Sequence, residues 1–228
     1  AAPFSPASAL RYEPTPSALL ENCRSAKKRA ESALESLAGL PKAARTFDNT
    51  PWALDRVGSD LSDETASDTF LKYVSVSSAV RDAANDCETL LGQFSVDVYA
   101  REDLYRAIKE YAAAGEPLSG ESRRLLDKEL LDFKRSGLEL PKERRAEVLA
   151  LRKKLVELES TFGKNINEHK DFALFSKDEL DGLPEDFVAR LEKVDGKHKV
   201  SLDYPDYFPF MENSSNPAGR RVLEAKFN

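Results

Sequence analysis

Two histidines, two cysteines, one methionine and one tryptophan among 228 residues leave few ways to build a metal centre or an activated nucleophile. Zinc hydrolysis on a helix needs two histidines at i and i+4 with a glutamate beside the first. That spacing turns both imidazoles to the metal and sets a base beside its water. Glu168 precedes His169, but the position one turn on is Ala173, and His198 lies far down the chain. His169, near an expected helix end, reads as a surface residue. There is no Gly-x-Ser-x-Gly elbow to present a strained serine, and no Gly-x-Gly-x-x-Gly. Gly115 and Gly120 have P-loop spacing, yet Glu121-Ser122 stands where lysine and hydroxyl are needed, and its carboxylate would repel phosphate. Carboxylates are abundant, but on polar helix faces they read as solvated charge rather than a glycosidase dyad. No constellation in the chain can perform catalysis by itself, so the catalytic and metal-binding residues expected here are none.

Other absences narrow the class. No stretch approaches the roughly 20 apolar residues that cross a bilayer. The N-terminus lacks a charged-then-apolar signal pattern; Ala1–Pro16 carries four prolines and is expected to be a flexible lead-in. Basic residues do not dominate: 34 Lys and Arg against 40 Asp and Glu give a net charge of −6, which argues against nucleic acid and membrane partners. The basic stretch from Ser119 to Lys154 is interleaved with acids, so nucleic-acid binding there is a weak alternative. Cys23 and Cys87 fall within helical patterns and are expected to be buried free thiols of a reducing compartment, hence a cytoplasmic, intracellular location with the mitochondrion left open. Met211 is the only methionine, so a chain that begins Ala1-Ala2 is expected to be processed or cut from something longer.

What is present is helical periodicity. From Ser17 to Leu37, Leu19, Leu20, Cys23, Ala26, Ala30, Ala33, Leu34 and Leu37 recur at steps of three and four, with Ser17 as the expected N-cap. A short helix is expected from about Asp48 to Val57, another from near Ser62, and a continuous one over Ser77–Ala114, kinked near Ser95. Ser119–Ser136 follows, closed by Gly137 at a position that favours positive φ. Pro141 then opens a long helix whose stripe of Val148, Leu151, Leu155, Leu158, Phe162 and Ile166 is expected to pack inward on an antiparallel neighbour, a partner-binding coiled coil being the alternative.

Beyond Lys170 the texture changes. Ser176-Lys-Asp-Glu179 has capping-box form, a short helix starts at Leu183-Pro184-Glu185, and Asp195-Gly196 reads as a turn. Residues 198–203 belong to the one period-two stretch. The expected fold is therefore all-α, multi-helix, with long antiparallel helices and a short β segment there. The expected division is 1–16 as lead-in, 17–196 as the helical domain and 197–228 as the start of a connection to a further lobe. Tyr204, Tyr207, Phe208 and Phe210 form an aromatic, proline-spaced cluster suited either to a peptide groove or to a hydrophobic hinge.

Particular strings then stop looking generic. They are Thr46-Phe-Asp-Asn-Thr50, Tyr73-Val-Ser-Val-Ser-Ser-Ala-Val-Arg-Asp82, and Phe94-Ser-Val-Asp-Val98 with Arg101-Glu-Asp-Leu-Tyr105. Phe133-Lys-Arg-Ser-Gly-Leu-Glu-Leu-Pro141 and Phe162-Gly-Lys-Asn-Ile-Asn-Glu168 follow. Glu179-Leu-Asp-Gly-Leu-Pro184 and Leu202-Asp-Tyr-Pro-Asp-Tyr-Phe-Pro209 complete the set. In this order and at these spacings they resemble the N-terminal portion of the thimet oligopeptidase and neurolysin family of zinc metallopeptidases, from about Thr46 to Asn228.

The resemblance implies a mostly helical, two-lobed enzyme with a narrow channel that admits short peptides and excludes folded proteins. It places the H-E-x-x-H zinc motif in a C-terminal lobe beyond Asn228, so no metal ligand is carried onto this chain and zinc is expected only in the full-length protein. The chain would supply one wall of the channel, with Tyr204, Tyr207, Phe208 and Phe210 as candidate wall residues, and its partners would be the catalytic lobe and short peptides. The competing reading is a free-standing helical protein-interaction module without hydrolytic activity. If another lobe covers this region, an apolar patch of more than a few hundred Å² should be exposed around Tyr207, Phe208, Phe210 or Phe227.

Overall fold

The computed structural model describes residues 13–228; the expected lead-in lies, for 1–12, outside the described residues. Among them nine α-helices dominate, with one small sheet. Contacts divide the chain into two units, Ala1–Lys164 and Asn165–Asn228, each taken by itself below.

In the first unit, α1 (Pro16–Ala38) is capped by Thr15, whose hydroxyl accepts the Ala18 N–H, not by Ser17. Pro16 takes the first turn, where its missing N–H costs nothing, and this moves the start upstream. Of the expected face, Leu19, Cys23, Ala26, Ala30, Leu34 and Leu37 are buried, while Leu20 is half-buried and Ala33, at the edge of the stripe, is exposed. α2 (Pro51–Val74) is one helix where two were expected. Gly58-Ser59-Asp60 reads as a breaker, but α1 and α3 (Ser78–Tyr99) pack along α2 and override that local preference. Buried Asp68 of α2 accepts from Asn22 of α1, tying the pair together. The expected continuous helix after Ser77 is instead broken at Ala100-Arg101. Arg101 is extended and its guanidinium grips Asp103 at 2.7 Å, in the first turn of α4 (Glu102–Ala114). α4 ends on left-handed Gly115 and α5 (Gly120–Arg135) is followed by Gly137 at φ +96°. One core gathers Leu34, Phe94, Leu104, Ile108, Leu126 and Phe133.

A second core surrounds Cys23 of α1 and Cys87 of α3, with Leu19, Leu71 and Val80. These cysteines are not free thiols: they form a disulfide, Cα to Cα 5.9 Å, both side chains fully buried. Each lies on its helix's inward face, and the packing of α1 on α3 sets the two faces opposite one another. The step from free thiols to a reducing compartment thereby loses its premise. No helix among the described residues is long and apolar enough to cross a membrane.

α6 (Lys142–Asn167) departs most from expectation: it has no buried residue, and Leu151, Leu155, Leu158 and Phe162 point to solvent. The cause lies on its other face. Lys153 pairs with Asp97 and Lys164 with Asp82, both at 2.7 Å, Ser160 bonds Thr89 at 2.8 Å, and Val156 fits the notch at Gly92. α6 thus meets α3 through a polar, small-residue seam, leaving its apolar stripe unused.

In the second unit, β1 (Phe172–Phe175), β2 (Lys193–Val194) and β3 (Lys197–Ser201) form an antiparallel sheet in the order β1-β3-β2. The β segment therefore ends two residues before 203, and it has partners on both sides. Asp195 and Gly196, at φ +51° and +77°, make the two-residue hairpin turn that such strands favour; the expected domain division at 196/197 falls at this turn. Ser176 and Glu179 complete the capping box ahead of a 3₁₀ turn at Lys177–Leu180. α7 (Glu185–Arg190), α8 (Tyr204–Asn213) and α9 (Pro217–Phe227) follow. Ala173, Phe175, His198 and Val200 turn to the covered face of the sheet.

Candidate functional site

The aromatic cluster is helical: Tyr204-Pro-Asp-Tyr-Phe-Pro-Phe210 makes up most of α8. Asp203 precedes it and Pro205 fits the first turn. Pro209, inside the helix, has no N–H for the carbonyl of Pro205. That carbonyl is taken instead by the Arg190 guanidinium, which also pairs with Asp206 at 2.8 Å and lies over the Phe187 ring. An external donor of this kind lets a proline-containing segment remain a helix.

Helical geometry splits the four rings into pairs. Tyr207 and Phe210, three apart, face inward and are 5% and 0% exposed. Phe210 stacks on Phe175 of β1 at 4.7 Å, and the approach of α9 is close enough that a Cβ on Gly219 would stand 3.1 Å from the Phe210 ring. Burying such a ring stabilises the unit by roughly 2–3 kcal/mol. Tyr207 stacks on Phe227 of α9 at 4.0 Å and donates its hydroxyl to Glu224, which raises the phenol's pKa. Tyr204 and Phe208, four apart, point outward at 67% and 43% exposure and meet edge to face at 5.0 Å. With Phe227, 6.2 Å from Tyr204, they form an exposed aromatic ridge. So the structure brings Tyr204 and Phe208 together on the surface, while Tyr207 and Phe210 support them from the core. Of the rings around which an apolar patch is expected, Tyr207 and Phe210 are buried, and Phe208 and Phe227 are exposed beside Tyr204.

One string singled out in the sequence gains a physical reason here. Gly182, in Glu179-Leu-Asp-Gly-Leu-Pro184, has φ +87°, and a Cβ there would fall 2.5 Å from the Asn213 carbonyl that ends α8. Ser215 also donates to the Asp181 carbonyl at 2.8 Å. Arg190 was missed; its signal was the internal Pro209, which demands an outside donor.

The residues do not fit a zinc site. Among the described residues no three His, Cys, Asp or Glu side chains converge on one point, and both cysteines are spent in the disulfide. His198 is buried on β3 with its Nδ1 unpartnered, beside Phe175 in register. The first unit carries a depression of about 360 Å³ lined by Phe47, Trp52 and Leu125 together with Asp48, Asp55 and Glu121.

Comparison with known proteins gives a consistent answer. The thimet-like oligopeptidase of Dictyostelium discoideum is 33% identical over 202 residues, 85% of this chain and 30% of that protein. The probable thimet oligopeptidase of Arabidopsis thaliana is 37% identical over 59% of this chain and 19% of its own length. Saccharolysin of Saccharomyces cerevisiae is 27% identical over 67% and 23% respectively. No protein-family model matches the chain. The chain spans less than a third of the length of these curated relatives. The strings that suggested the resemblance thus belong to a homology covering most of the chain, and by it this protein is a member of the family of thimet oligopeptidase, saccharolysin and oligopeptidase A, matching a partial, N-terminal region of those enzymes.

Proposed function

We propose that this chain is the non-catalytic N-terminal part of a zinc metallo-oligopeptidase and forms one wall of the channel that restricts access to short peptides. The carrying observation is a mismatch. The Dictyostelium relative named as an oligopeptidase aligns with 85% of the chain at 33% identity, yet among the described residues no side chains converge on a metal site. On this reading the hydrolytic zinc is held by another part of the polypeptide, and no step of hydrolysis runs through the residues described above. What this chain contributes is recognition and exclusion. Tyr204 and Phe208 are the peptide-facing rings: rigid, half-apolar surfaces that contact an extended chain at little entropic cost. Arg190 holds their helix in shape, and Tyr207 and Phe210 hold it on the sheet.

The test has two arms. The 228-residue chain with added zinc should cleave a fluorogenic short peptide no faster than buffer; chelator-sensitive turnover would overturn its non-catalytic assignment. The product of the intact gene should cleave the same peptide, and Tyr204→Ala with Phe208→Ala should raise KM more than it lowers kcat. An intact product without peptidase activity points instead to the interaction module.

A further inference from the structure

A helix that shows heptad-spaced leucines to water while salting its opposite face onto its neighbour has its amphipathicity inverted. In α6, Leu151, Leu155, Leu158 and Phe162 alternate steps of four and three, the seam pattern of a coiled coil. Each is between 52 and 70% exposed, while Val156 and Ser160 on the other side meet α3. We propose that this stripe is a docking surface for an amphipathic helix from the portion of the polypeptide that the longer relatives possess outside the matched region. The inference rests on the oligopeptidase reading and names a contact by which this region and the remainder hold together.

Three observations select this occupant. The surface is a convex ridge along a helix, not a concavity of the kind that encloses a peptide or small ligand. Its spacing matches a second helix whose side chains enter as knobs into holes. Its area separates a tethered partner from a second copy. Four such side chains offer on the order of 400 Å² of apolar surface, a large patch for a lone chain. Two copies would then bury on the order of 800 Å² in total, the scale of a crystal contact rather than of a stable dimer. A helix in the same polypeptide needs less, because the linkage has already removed most of the association entropy. The matched region is only 30% of the Dictyostelium relative, so most of such a polypeptide lies outside it.

The experiment places one thiol in the stripe. Cys23 and Cys87 are joined and buried, so Leu155→Cys adds the one free thiol among the described residues; Leu158→Cys serves as a second variant. Labelling at that position is followed by peptide mass in the 228-residue chain and in the product of the intact gene. Labelling should be slower in the intact product by roughly tenfold or more, at any protein concentration. Equal rates in both would overturn the proposal. Protection already present in the 228-residue chain and lost on dilution would overturn it in favour of a second copy. Peptidase activity of the intact product, measured alongside, separates the two claims: activity with an unprotected stripe removes this inference and leaves the oligopeptidase reading standing.

Discussion

Arg190 donates to the carbonyl of Pro205, the acceptor that Pro209 leaves empty in α8. The relationship has a thermodynamic signature. Arg190→Met should weaken the second unit by about 1–3 kcal/mol, as expected when a charged donor is removed from a backbone acceptor. Pro209→Ala returns an N–H to the helix, so in its background the cost of Arg190→Met should shrink to what Asp206 and Phe187 account for. Amide exchange of α8 in the two single variants and the double variant measures this. Equal costs in both backgrounds would show that the guanidinium does not substitute for the missing donor.

Two helical glycines should respond oppositely to the same change. A Cβ on Gly58 of α2 meets nothing within 4 Å, so Gly58→Ala should stabilise by about 0.5–1 kcal/mol through helix propensity alone. A Cβ on Gly92 of α3 would stand 2.9 Å from Val156 Cγ1, and the β-branched valine cannot swing away freely. Gly92→Ala should therefore destabilise by about 1–2 kcal/mol as α6 is pushed off its seam. Val156→Ala should relieve that penalty. Urea midpoints for the four proteins give the coupling; a stabilising Gly92→Ala would show that α6 does not rest there.

Legibility followed the range of the interaction. The face of α1 was readable because Leu19 to Leu37 repeat at local steps and do pack inward. The α6 stripe has an equally clear repeat, and for the same reason its spacing predicts an inward face. Periodicity says that a face wants a partner, but not whether the partner lies in the same unit. The seam that actually holds α6 is polar, built from Lys153, Ser160 and Lys164, and such residues carry no period that separates a contact from a solvated surface. The aromatic cluster was found by composition, yet its helical form was hidden by Pro205 and Pro209. Only the distant Arg190 makes that conformation satisfiable.

The Cys23–Cys87 link closes a loop of 64 residues between α1 and α3, for which chain entropy gives about 4 kcal/mol. Cys23→Ala with Cys87→Ala, or reduction of the parent, should lower the urea midpoint of the first unit accordingly. Thiol titration of the unreduced, denatured chain is the direct check and should find no free thiol. Two free thiols would restore the buried-cysteine reading and with it the argument for a reducing compartment.

Glu129 is the buried carboxyl that should make the first unit sensitive to pH. It lies on α5 and accepts from the Tyr99 hydroxyl of α3 at 3.2 Å. Burial, then the nearby charges of Asp132 and Asp55, push its pKa up to about 7, against the opposing pull of Tyr99 and Lys128. The ordinary value is 4.5, so between these two limits the folded state binds more proton than the unfolded one. Unfolding free energy must then fall as pH rises through that window, and the contribution is lost above it. The size is on the order of 3 kcal/mol. Glu129→Gln keeps a neutral group of the same shape and should flatten that slope, making the variant more stable than the parent at pH 8 and nearly equal to it at pH 4.5. The difference between variant and parent in urea unfolding isolates this group from every other carboxylate. A difference that does not grow with pH would mean that Glu129 is ionised in the folded chain throughout, with Tyr99 a sufficient partner for its charge.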